Sequence, residues 1–263
     1  MESFKERLLA VVNQNVWDGL PEELRNVPDE VESVTGIRLE ILPKELCDQP
    51  VAAFDKAEAV IDIDGHSQRI TIWCDPGSLK SSVLGHELIH LRRDILERVP
   101  KLIPVRCSPY DSGLIHMIEN ELEHLFIIPE EIQLFPDAEE RWASHYSELV
   151  DRIIQRSNPD HSELAITWMQ LRHSLPDQVD IAKRLLAHIR EQGEQCARQA
   201  NDLRCLADED RTDKGALVLM MTESLSTWYP SLRSHLGRGR WGSSDGEMMF
   251  MLQGVGDVNL APF

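Results

Sequence analysis

The stretch S82-V-L-G-H-E-L-I-H-L-R-R-D94 contains His-Glu-x-x-His at residues 86 to 90, and whether it lies on a helix decides both fold and chemistry. Residues four apart lie one turn apart on the same helical face, so the imidazoles of His86 and His90 can converge on one ion. Glu87 then projects beside that ion. There its carboxylate can take a proton from a water that the metal has made acidic and later deliver it to a leaving amine. The bland alternative is two histidines packed on a half-buried helix, with Glu87 solvated. A five-residue match is too short to choose between them, so the neighbourhood has to.

The flanks favour a helix. Leu84, Leu88, Leu91 and Ile95 recur at helical spacing in a segment expected to run from Leu79 towards Leu96, with Ser78 as its N-cap after the turn Asp75-Pro76-Gly77. Upstream the period changes to two. Strands are expected within T35-G-I-R-L-E-I-L42, A59-V-I-D-I-D64 and R69-I-T-I-W-C74, the last two joined as a hairpin through Asp64-Gly65. Before them, residues 2 to 26 read as helix, with a break at Gly19-Leu20-Pro21 ahead of a short helix P-E-E-L-R.

Downstream, L114-I-H-M-I-E-N-E-L-E-H-L-F-I-I128 reads as a second helix, with Ile115, Ile118, Leu122 and Leu125 inward and Pro129 ending it. A catalytic zinc takes three protein ligands and keeps a fourth position open, so this helix is the expected source of the third. Glu119, Glu121, Glu123, His116 and His124 are the available donors. A helical wheel sets Glu119 and Glu121 beside the inward stripe and turns His124 largely away from it. Glu119 is preferred, because Glu123 one turn later could orient a zinc-bound histidine, and Glu123 stays open as the alternative ligand. Glu121 reads as a solvated helix charge. Asp94 and Tyr110 are weaker candidates, for outer support and for stabilising an oxyanion.

At 263 residues the chain can bury a sizeable core, and two lobes are expected. Apolar residues at 42% and charged residues at 27% exclude a chain dominated by disorder. The 27 Lys+Arg against 45 Asp+Glu leave a net charge of −18, which repels polyanions at long range. Single-stranded DNA would therefore need a local basic strip with aromatics for stacking. Two stretches qualify: W228-Y-P-S-L-R-S-H-L-G-R-G-R-W241, and Lys101 with Arg92, Arg93, Arg98 and Arg106. The N-terminus lacks the pattern of a secretory signal and no apolar run is long enough to span a bilayer, so a cytoplasmic protein with no membrane partner is expected. Five cysteines at irregular spacing, with no Cys-x-x-Cys pair, suggest neither a disulfide framework nor a zinc ribbon.

The fold class expected is α+β: a zincin-like metallopeptidase domain over residues 1–137, a helical region over 138–206 with breaks near Ser157-Asn158-Pro159 and Leu175-Pro176, and a C-terminal segment, 207–263, of unassigned role.

Hairpin, H86-E-L-I-H90 helix, loop, and then a Glu-bearing helix closing in Phe126-Ile127-Ile128-Pro129 together resemble the ImmA/IrrE-like zinc metallopeptidases. The resemblance covers residues 35 to 132. It implies Zn2+ held by His86, His90 and a glutamate about three turns before the closing Pro. Glu119 falls one residue short of that register, which again keeps Glu123 open. Within the group, H86-E-L-I-H90, Cys107 and E119-N-E-L-E-H-L-F-I-I-P-E130 look most like the CapP metallopeptidases of bacterial CBASS anti-phage operons. That likeness implies proteolysis of a helix-turn-helix, CapH-like transcriptional repressor, triggered by single-stranded DNA, which would switch on defence genes.

The segment P104-V-R-C-S-P-Y-D111 also looks like the cysteine switch of matrix metalloproteinases, in which a thiolate occupies the water position on zinc. Arg106 and the metal would both favour the thiolate form of Cys107. The competing class is a regulator without enzymatic activity that keeps the scaffold to bind nucleic acid or a partner protein.

Overall fold

The computed structural model describes residues 2–47, 58–157, 159–209, 213–228, 233–244 and 247–253. Helices and two small sheets make the chain α+β, as its periodicities require. It divides into two compact units, residues 1–99 with 239–263, and residues 100–238. Among the described residues no helix is long and apolar enough to cross a membrane.

The first unit opens with α1 (Phe4–Leu9), α2 (Gln14–Asp18) and α3 (Glu22–Thr35). Ser3 and Glu6 close a capping box on α1, and Asn13 caps α2. The short helix expected at P-E-E-L-R runs on through Pro28 to Thr35, because Leu24, Val27 and Val31 keep one apolar face buried along its whole length. It stops at Gly36, whose φ of 71° lies in the left-handed region that glycine enters without a Cβ penalty.

Strands β1 (Leu39–Pro43), β2 (Ala59–Asp64) and β3 (Arg69–Cys74) form a sheet of order β1-β3-β2, with β1 parallel and β2 antiparallel to β3. The register places Leu39 opposite Ile70 and Ile41 opposite Ile72, so the alternation seen in the sequence becomes a shared buried face. Central β3 is buried on both faces from Ile70 to Cys74. Buried Arg7 fastens the helices to this sheet. Its Nε donates to the Leu39 carbonyl at 3.1 Å and its guanidinium pairs with Glu32, whose carboxylate also accepts the Leu39 N–H at 2.8 Å.

Helix α4 (Ser81–Leu91) carries the His-Glu-x-x-His segment. It starts three residues after the expected cap, because the Leu79 N–H is spent on the Asp75 carbonyl and Lys80 is still extended. Residues Arg92–Leu96 continue it as a wider, π-helical turn. Strands β5 (Leu236–Ser244) and β6 (Glu247–Gln253) pair as neighbours. Gln68, at the β2–β3 turn, acts as an extra strand residue: its amide donates to the Met248 carbonyl at 2.7 Å and accepts from the Met248 N–H at 2.8 Å.

The second unit comprises β4 (Lys101–Pro104) and helices α5 (Pro109–Leu134), α6 (Ala138–Ile154), α7 (His161–Ser174), α8 (Val179–Glu191), α9 (Glu194–Glu209) and α10 (Lys214–Trp228). The Val105 N–H donates to the His235 carbonyl at 2.7 Å, which sets the chain after β4 beside the approach to β5. The breaks expected near residues 157–159 and at Leu175-Pro176 fall between helices, although Asn158 lies outside the described residues.

Helix α5 does not stop at Pro129. Proline has no N–H to give the carbonyl four residues back, which orphans the Leu125 oxygen. The ring Nε2 of His173, on α7, takes that oxygen at 3.1 Å, so a side chain replaces the missing backbone donor and the helix continues to Leu134. His173→Phe should therefore lower stability by about 1–3 kcal/mol, the cost of a part-buried carbonyl left without a donor. Chemical denaturation of the variant measures this, and a Pro129→Ala second change, which restores the backbone donor, should recover most of the loss.

Candidate metal centre

In the first unit, α4 places His86 and His90 one turn apart, with ring centroids 4.7 Å apart and planes at 83°. Both residues are half-buried on a helix that is otherwise buried from Ser82 to Leu91. This is the donor pair that the spacing implies, and imidazoles so placed could share one metal ion. Glu87 is buried between them in sequence and turned to a different neighbour: its Oε2 accepts the Ile61 N–H at 2.9 Å. Strand β2 is an edge strand, and Ile61 sits opposite Ile72 of β3. The backbone donor thus holds a buried carboxylate in a fixed position, as a general base requires.

In the second unit, α5 brings an unusual density of ionisable groups into the interior: Glu119, Glu123, His124 and Glu131 are all buried. Each has a partner. Lys214, the first residue of α10 and itself buried, pairs with both Glu119 and Glu123. The other Glu119 oxygen accepts the Leu102 N–H at 2.7 Å. Burial pushes the Glu119 carboxyl above its usual range, against the downward pull of Lys214 and Lys101. Glu131, fully enclosed at 0% exposure, pairs with Arg141 and accepts the Trp142 indole N–H at 2.8 Å.

The wheel turned His124 away from the core, but the structure buries it. Helix α6 packs along that side of α5 and sets the Trp142 indole against the His124 ring, with centroids 5.2 Å apart. A helix covered on more than one side buries more than one stripe, so a single inward stripe underestimates what is buried. Glu121 likewise is not a solvated charge. Its side chain is only 18% exposed, its Oε2 accepts from the Tyr146 hydroxyl at 2.9 Å, and its Oε1 lies 3.9 Å from the His124 Nδ1. Desolvation raises its pKa to about 7, with the Tyr146 hydrogen bond opposing the shift.

The remaining candidates are placed as follows. Cys107 is a half-buried free thiol in the segment between β4 and α5, next to Arg106, whose φ is 49°. Tyr110 is 71% exposed and donates to Asp160 at 3.3 Å, a surface contact. Asp94 is buried in the π-helical turn, and His116 is exposed, with partial desolvation and then Lys101 lowering its pKa. Of the basic groups near residue 100, Arg92 and Arg93 pair with Glu97 at 2.8 and 3.7 Å. In the C-terminal strip, Tyr229 lies outside the described residues, and alternation along β5 sets Trp241 on the face opposite Arg240, where its ring meets Phe250 at 5.3 Å.

A scan against protein-family models finds no match to the chain, and searches of curated proteins and of solved structures find none either. The site therefore rests on its own chemistry.

Two outcomes follow. Glu121 binds its proton more tightly folded than unfolded, so its contribution to stability is full below about pH 4.5 and is lost as pH rises towards 7. Glu121→Gln should flatten that part of the profile, read as the urea midpoint across pH 4–8. Lys214→Met should cost about 3–5 kcal/mol, because it strands two buried carboxylates. Adding Glu119→Gln and Glu123→Gln should return most of the loss in the same denaturation assay.

Proposed function

We propose that the protein is a zinc-dependent endopeptidase of zincin type, acting through His86, His90 and Glu87. The observation that carries this reading is the register on α4: two imidazoles one turn apart, with the intervening carboxylate buried and held by the Ile61 N–H. For the ion, the neutral imidazole nitrogens of His86 and His90 on α4 are donors that suit zinc. Glu119, the third ligand expected from the sequence, and its alternative Glu123 are both engaged by Lys214 within the second unit.

When bound, zinc would supply Lewis acidity, polarising a scissile carbonyl and making water a nucleophile near neutral pH. Glu87 accepts the proton of the attacking water and passes it to the leaving nitrogen. The Ile61 amide keeps that carboxylate from swinging away from its task. Cys107 is the group proposed to hold the enzyme latent through its thiolate. The substrate proposed is a CapH-like helix-turn-helix repressor of an anti-phage operon, with single-stranded DNA as trigger, and this part rests on sequence resemblance alone.

Incubation of the purified chain with the helix-turn-helix protein encoded beside it, with and without single-stranded DNA, tests the reading. Glu87→Gln should abolish cleavage while zinc content and folding stay unchanged, whereas His86→Ala should lose both zinc and cleavage. Retention of cleavage by Glu87→Gln would refute the mechanism. Cys107→Ser should raise cleavage in the absence of DNA.

A further inference from the structure

Helix α3 buries one stripe, Leu24, Val27, Pro28 and Val31, and leaves the neighbouring face open. On that face Asn26, Asp29, Glu30, Ser33 and Val34 recur at helical spacing, and all are exposed, Val34 at 51%. The helix packs against α4 and the π-helical turn that continues it, and together with Leu96 of that turn the open face lines a groove of about 450 Å³. Its chemistry is mixed in a particular way. Val34 and Leu96 are apolar, whereas Asp29 and Glu30 bring two carboxylates that make no ion pair among the described residues. Glu32 of the same helix, by contrast, has the Arg7 guanidinium as its partner. An apolar hollow flanked by unneutralised charge of one sign is selective, because an apolar side chain fills it and only a cation beside that side chain finds a partner.

We propose that the groove between α3 and the π-helical turn docks a basic amphipathic helix of the protein substrate. The proposal rests on the peptidase reading and deepens it by naming the chemistry of the segment the enzyme grips. Asn26 and Val34 lie about 12 Å apart along the axis at the helical rise, a little over two turns. That length suits a helix laid in the groove with anchors at i, i+3, i+4 and i+7. Charge selects the occupant: a chain of net charge −18 repels an acidic partner and a second copy of itself, while Asp29 and Glu30 attract lysine and arginine. Position gives the docking its use. Leu96 ends the turn that continues the helix of Glu87, on the order of 13 Å further along the axis, and both lie in the first unit. A segment seated in the groove is therefore held at a set distance from the general base.

The probe is a synthetic peptide with leucines at helical spacing flanked by lysines, compared with a counterpart carrying glutamate at every lysine, each titrated against the full chain by fluorescence anisotropy. The lysine peptide should bind, more weakly as salt is raised, and the glutamate peptide should not. Asp29→Lys combined with Glu30→Lys should weaken the lysine peptide about tenfold or more, and Val34→Ser by a smaller factor. Glu139→Lys combined with Glu140→Lys, the same charge reversal at exposed positions of α6, should leave binding unchanged. Thermal melts report that the variants remain folded. No binding by wild type, or equal loss in both double variants, overturns the proposal. A wild-type dimer that Val34→Ser dissociates also overturns it, since a second copy is then the occupant. With the protein encoded beside it as substrate, the Asp29→Lys and Glu30→Lys variant should raise KM far more than it lowers kcat. Cleavage that survives Glu87→Gln refutes the peptidase mechanism and takes the substrate role with it. An unchanged KM in the groove variant overturns docking alone and leaves the peptidase standing.

Discussion

Keeping charge out of water is expensive, and helix α5 does it repeatedly within 13 residues, from Glu119 to Glu131. Much of the second unit is arranged around that expense. Lys214 must be carried in at the start of α10 to meet Glu119 and Glu123, Arg141 and Trp142 must come from α6 to meet Glu131, and Tyr146 must face Glu121 one turn further along. The partners come from two separate helices, α6 and α10, so both are fixed relative to α5 by polar as well as apolar contacts. Removing any one partner leaves a buried charge exposed to nothing, which is why such pairs specify an arrangement even where they add little net stability.

The same helix shows how a local rule is overridden by a distant donor. Proline at position 129 should end a helix because it leaves the Leu125 carbonyl without its N–H. His173 supplies the missing hydrogen from α7, and the helix runs on for a further turn and more. That extension is what places Glu131 within reach of Trp142. One imidazole on a neighbouring element thus decides how long the carrier of the candidate donors can be.

On α4 the constraint is different in kind. The two histidines need nothing from afar to lie on one face, since a helical pitch of 3.6 residues dictates it. What the fold adds is the fixing of Glu87. Strand β2 lies at the edge of its sheet and still has the Ile61 N–H to give, and the carboxylate takes it. An edge strand that would otherwise present unpaired donors thereby anchors a catalytic candidate.

The amino-acid sequence by itself determined the α+β class, the three strands of the first sheet with their core-facing alternation, the helical register of His86, Glu87 and His90, and the helical run after residue 138, because each depends on periodicity within a short window. It misplaced the end of α5 and the extent of α3, because both helices continue past a proline on contacts made by residues elsewhere. Only the tertiary structure decided which side chains of α5 are buried: the wheel drew one inward stripe and turned His124 away from it, and Glu121 at its border read as a solvated charge, whereas α6 covers that side with Trp142 and Tyr146. The pairing of Glu119 and Glu123 with Lys214, some ninety residues away, carries no local signal at all. A helix's pitch is written in its own residues, but the partner that makes burying a charge tolerable is found only when the chain has folded back on itself.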